Sequence, residues 1–191
     1  VNTFYNKIDN EAGPYLNTVQ YYLKQIDYSN LREEDYIHKL YTIIRHIIFF
    51  RAGGEMSSEL FAYLFMKKLE MKKIPCELVV SAASNITKPG DIIFRTEPEW
   101  MVKVKDKFVF NPTAVSTTYD FRENFQNTEA FIISLGRNPS AKIIKLPVTS
   151  AGDNFTKTIV TATIDTAQNL NLTVQKAIKG MSKKNYHYEA L

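Results

Sequence analysis

Apolar residues in the first third of the chain recur at intervals of three and four, and beyond Pro75 the pattern changes to alternation. Tyr15, Val19, Tyr22, Leu23 and Ile26 follow Pro14 at helical spacing, which predicts a helix with Pro14 in its first turn, where the missing N–H would have no partner anyway. A second helix is predicted from Glu33 to Phe50, with Ile37, Leu40, Tyr41, Ile44, Ile47 and Ile48 forming one apolar stripe. Glu33, Glu34 and Asp35 sit at its electropositive start, and Gly53-Gly54 stops it. A third helix, Ser57 to Met71, repeats Leu60, Phe61, Leu64, Phe65 and Leu69, and Lys67, Lys68, Lys72 and Lys73 are expected on its exposed C-terminal end.

After Ile74-Pro75 the chain reads as extended. Cys76–Ala82 and Asp91–Phe94 are predicted strands on either side of the polar loop Asn85–Gly90. Met101–Val104 and Lys107–Phe110 form a predicted hairpin turning at Lys105-Asp106, and residues 130–134 and 141–146 are further strand candidates. Helices first and strands afterwards argue for an α+β fold, with the N-terminal helices packed on an antiparallel sheet. Leu146-Pro147 and the small polar run Thr149–Asp153 mark a boundary, which divides the chain into a domain at 1–146 and a second piece at 147–191. In that piece Phe155–Ile164 and Leu170–Ile178 alternate around Thr166–Asn169 and end at Gly180. A lone hairpin is marginal in water, so this piece is expected to lean on the first domain or on further strands.

The 191 residues, 45% of them hydrophobic, suit a folded chain with a substantial core. The net charge is +4, but the lysine doublets are scattered and interleaved with acids, which argues against a nucleic-acid surface. No apolar run reaches the roughly 20 residues of a membrane-spanning helix. Val1 in place of methionine, with no signal-like segment, suggests a piece of a longer precursor. One cysteine, Cys76, allows neither an internal disulfide nor a cysteine-based zinc site. His38 and His46 lie roughly 80° apart around one helix, and the i, i+4 pair Glu34–His38 supplies only two ligands. His187 stands alone, so neither a metal nor a cofactor is implied. Arg51-Ala52-Gly53-Gly54 lacks the lysine and spacing of a phosphate loop.

The segment Gly54-Glu55-Met56-Ser57-Ser58-Glu59-Leu60 opens a helix from a glycine turn. A thiol acyl-transfer enzyme places its cysteine at such a helix start, where the dipole and a nearby imidazolium favour the thiolate. Farther on come Glu99-Trp100-Met101-Val102-Lys103-Val104 and Phe110-Asn111-Pro112-Thr113, and between these and the helix runs Lys72-Lys73-Ile74-Pro75-Cys76-Glu77-Leu78-Val79. In this order the segments from about Ile43 to Thr113 resemble the core of the transglutaminase-like superfamily, a papain-type α+β fold. The tail from Ile144 to Gly180 resembles the start of the C-terminal β module of large multidomain bacterial members, often from Bacteroidetes.

Carried across by that resemblance, Met56 matches the nucleophile, Glu99 the base and Asn111 the orienting acid. All three depart from the family pattern. A thioether cannot become a thiolate, and a carboxylate beside one would repel it. Losing the nucleophile alone typically removes on the order of 10⁶-fold in kcat from such a triad. Ser57, Ser58 and Cys76 remain as fallback nucleophiles for a hydrolase or acyl transferase working in the same cleft, although serine at a helix start more commonly serves as a cap and a strand cysteine as a buried thiol. Met56 itself reads better as an apolar plug under the sheet than as a ligand, and Asn111 before Pro112 suits a turn. The resemblance therefore implies a non-catalytic domain acting as scaffold or binding module in an exported multidomain protein, beside the flanking domains of the same polypeptide. Trp100 and Tyr119 are candidate aromatic walls for a peptide or glycan ligand, or for a partner protein.

Overall fold

The computed structural model describes residues 2–51, 56–84, 98–112, 118–119, 121–134, 140–148 and 155–179. The helices are α1 (Asn2–Gln25), α2 (Glu33–Arg51) and α3 (Ser58–Met71). The strands are β1 (Glu77–Ala82), β2 (Pro98–Val104), β3 (Lys107–Phe110), β4 (Glu129–Ser134), β5 (Ser140–Lys145), β6 (Phe155–Ile164) and β7 (Leu170–Lys179). The class is α+β, and every described strand pair is antiparallel. The expected strand Asp91–Phe94, the loop Asn85–Gly90, the stop at Gly53-Gly54 and His187 lie outside the described residues. Contacts divide the chain into two units, Val1–Pro147 and Val148–Leu191.

In the first unit α1 departs from expectation, because Pro14 lies inside the helix and not in its first turn. Ile8 and Ala12 extend the buried stripe of Val19 and Leu23 toward the N-terminus, while Pro14 is exposed. Packing of that stripe outweighs the single backbone hydrogen bond that proline removes. Ile26 falls beyond the helix end and is exposed. The predicted stripe of α2 is wholly buried, as are Phe61, Leu64, Phe65 and Leu69 of α3.

The lysines near the end of α3 are not all exposed. Lys68 is only 3% accessible, because α1 covers that side of α3, and its ammonium donates to Gln20 Oε1 at 2.9 Å. Lys72 reaches across to the carbonyls of Tyr28 and Ser29, at 3.1 and 2.7 Å. These carbonyls belong to the turn Tyr28–Asn30 after α1, so a side chain expected in solvent ties two helices together.

The sheet runs β3-β2-β1-β4-β5. One face presents Leu78, Val102, Val104 and Val109 to the helices. The other presents Val79, Met101, Phe108, Phe110 and Ala130 to a smaller core containing Phe125 and Leu146. Adjacent residues of β1 and β2 therefore enter different cores, which is why these central strands read as nearly continuous apolar runs. Ser81 is fully buried in β1, and its hydroxyl donates to Glu129 O at 2.7 Å.

The second unit is described as one hairpin, β6 with β7. Its register places Val160 opposite Val174, Ala162 opposite Leu172 and Ile164 opposite Leu170. Side chains alternate, so these six share one face, while the pairs Thr161–Thr173 and Thr163–Asn171 occupy the other. The turn is clamped by Asp165, whose carboxylate accepts from the backbone N–H groups of Ala167 and Asn169, both at 2.9 Å, and from Asn169 Nδ2 at 3.0 Å. Those hydrogen bonds hold the Asp165 carboxyl below its ordinary pKa.

Candidate functional site

The start of α3 is set by Ser57, which has extended backbone and accepts the N–H of Leu60 on its Oγ at 3.2 Å. This satisfies one of the helix's orphan donors. Ser57→Ala is expected to lower stability by about 1 kcal/mol, measured as a reduced urea midpoint at unchanged slope. Ser58, in the first turn, accepts the backbone N–H of Trp100 on its Oγ at 3.1 Å. Trp100 lies one position beyond the last β2–β3 pair, Met101 with Phe110. A helix hydroxyl thus takes over where the strand ladder stops.

Around this junction the three positions singled out by resemblance meet. Asn111, just past β3, donates through Nδ2 to the carbonyl of Met56 at 2.8 Å. Arg122 donates through Nη1 to Glu99 Oε1 at 2.8 Å and through Nη2 to the carbonyl of Asn111 at 2.7 Å. The two charged side chains are 24% and 20% exposed, so the pair is largely removed from water. Burial raises the Glu99 carboxyl above its ordinary pKa, and the Arg122 charge and hydrogen bond pull it back only in part. The Arg122 guanidinium also lies over the Phe110 ring, 5.3 Å from its centre.

These contacts define what the junction can do. In a catalytic arrangement the third residue accepts a hydrogen bond from the base; here the Asn111 amide donates to a main-chain carbonyl, a bond that an ionised aspartate could not make. Asn111 Oδ1 is buried without a hydrogen bond. Glu99 faces a permanent cation in place of a titratable nucleophile. Met56 is half-buried and packs against the helical core. The assembly locks helix start, strand and loop together.

Nothing in the local sequence marks Arg122. It lies twenty-three residues beyond Glu99, and only the folded chain brings it beside that carboxylate. The one available signal was the buried acid itself, since a carboxylate on a central strand calls for a cationic partner.

The remaining candidates lie in other surroundings. Cys76 precedes β1 at the end where Glu77 pairs with Lys103, whereas Glu99 pairs with Ser81 at the other end, about 16 Å along the strand. Burial, with Glu70 and Glu77 nearby, pushes its thiol up to about 11, the opposite of an activated nucleophile. Trp100 is partly buried against the helical core. Tyr119 stacks edge-on with His38 at 5.3 Å and lies under the Lys107 ammonium at 4.3 Å. It therefore belongs to a polar cluster with Glu34, which sits 2.8 Å from Lys107 Nζ. His38 Nδ1 shares a 2.8 Å hydrogen bond with Thr118 Oγ1, and Nε2 is 3.5 Å from Glu34 Oε1. Among the described residues no group of three His, Cys, Asp or Glu side chains could hold a metal.

No family model, curated protein or solved structure matches the chain.

Proposed function

We propose that this chain is a non-catalytic domain of transglutaminase-like type, serving as a scaffold or binding module within a larger bacterial protein. The observation that carries the reading is the meeting of Met56, Glu99 and Asn111 at one junction of helix start, central strand and strand end, held by Arg122. The Glu99 and Asn111 side chains are engaged in structural bonds, while Met56 offers its main-chain carbonyl to Asn111 and packs its side chain against the core. None of the three can generate a thiolate, and with glutamate at position 99 there is no imidazole at the base position for Asn111 to orient.

The fallback nucleophiles fare no better on their surroundings. The Ser57 oxygen caps α3 and the Ser58 oxygen accepts the Trp100 N–H. Among the described residues neither hydroxyl is bonded to an imidazole that could serve as base. The test is an amine-incorporation and peptide-hydrolysis assay of the purified chain, combined with serine- and thiol-directed covalent probes. No turnover and no selective labelling are expected. Turnover abolished by Met56→Ala, or selective labelling of Ser57, Ser58 or Cys76, would replace the proposal with an enzyme.

A further inference from the structure

Lys68 is the most enclosed charged side chain among the described residues, and no carboxylate there forms an ion pair with it. Its ammonium has three N–H donors, of which one is engaged among the described residues, by a neutral amide oxygen: Gln20 Oε1 at 2.9 Å. The Gln20 amide is held in turn, since its Nε2 donates to Tyr28 Oη at 3.2 Å, so its oxygen stays turned toward the lysine. The neighbouring acid, Glu70, pairs instead with Lys67 at 3.7 Å. Burial lowers the Lys68 pKa below the ordinary lysine value. An ammonium left this way is undercompensated, and an anion supplied from outside would be bound strongly for the same reason.

An open cavity of about 480 Å³ adjoins it between α1 and α3, with Lys68 and Gln20 in its lining. That volume is within the usual range for small-molecule sites. Leu16 and Met71 supply apolar wall, Asn17 a further amide, and Lys67 and Glu70 the charged remainder. We propose that this cavity is a binding site for a small monocarboxylate, its carboxylate on the Lys68 ammonium and its apolar part against Leu16 and Met71. The Glu70 carboxylate in the same lining disfavours doubly charged anions such as phosphate. The site is separate from the Met56–Arg122 junction and does not depend on the reading given above.

The experiment titrates the whole chain with hexanoate, and in parallel with inorganic phosphate, by calorimetry and by amide NMR. Hexanoate is expected to bind saturably with a Kd of about 1 mM or tighter, shifting the Gln20 side-chain amide and the Lys68 backbone amide together. Lys68→Met is expected to weaken that binding at least about tenfold. The substitution keeps the volume and removes a buried charge, and the Gln20–Tyr28 bond stays in place. Saturation without shifts at Gln20 and Lys68, no saturation at all, unchanged affinity in Lys68→Met, or tighter binding of phosphate would each overturn the proposal. The spectra of the unsubstituted chain decide the matter even if the variant does not fold.

Discussion

Arg122→Met is expected to destabilise the first unit by about 3 kcal/mol near neutral pH, the lower end of the cost of leaving a buried charge without its partner. The lower end is appropriate because Glu99 and Arg122 keep 20% and 24% of their side-chain surface in water. The loss should shrink on acidification. Glu99 already carries a raised pKa from burial, and removing the cation takes away what lowers it. A carboxyl raised in the folded state contributes stability that is fully present below its ordinary pKa and is lost as pH rises through the higher folded value. Urea unfolding of both proteins at about pH 4.5 and about pH 7.5 should therefore show a smaller difference at the lower pH. The lost bond to Asn111 O leaves a residual penalty at both. A difference independent of pH would mean that the ion pair contributes nothing specific.

Phe61→Ala should cost about 3–5 kcal/mol, as for a large aromatic deleted from a rigid core. Phe61 has no accessible surface, stacks on Phe65 at 5.5 Å and meets the edge of Tyr41 at 6.1 Å. Tyr41 belongs to α2, so this contact fixes the beginning of α3 against its neighbour, four residues from the Ser57 cap. The single tryptophan, Trp100, gives the readout, because its backbone N–H is bonded to Ser58 in that same turn. Fluorescence-monitored urea unfolding should show the midpoint falling with little change in slope. A loss under about 1.5 kcal/mol would show that the surrounding helices close over the gap.

The long α2 stripe was readable because six apolar residues at strict spacing leave no other face to bury. The β2–β3 hairpin was readable too, from two short apolar runs around Lys105-Asp106. The start of α1 is not legible locally, because proline carries a strong signal of its own and the packing of Ile8 and Ala12 that overrides it depends on α2 and α3. The burial of Lys68 is hidden for a related reason. The dipole favours a lysine near a helix end, but which side of α3 would be covered by α1 is not a local property. At the junction, Met56, Glu99 and Asn111 could be picked out by order along the chain. Arg122, the residue that binds two of them, could not, because its role follows from the path of the chain after β3.

The Asp165 clamp has a consequence for the hairpin that carries it. Side chains alternate with a period of two, so a slip of one residue in β7 would send Leu170, Leu172 and Val174 to the opposite side and bring Asn171 and Thr173 into their place. Strand pairing alone discriminates weakly between these alignments, since both satisfy the ladder. The five-residue turn, read by one carboxylate that counts to Ala167 and Asn169, chooses between them. Asp165 thus acts as the hairpin's parity check, and the sidedness of the ten β7 residues relative to β6 rests on the turn that it braces.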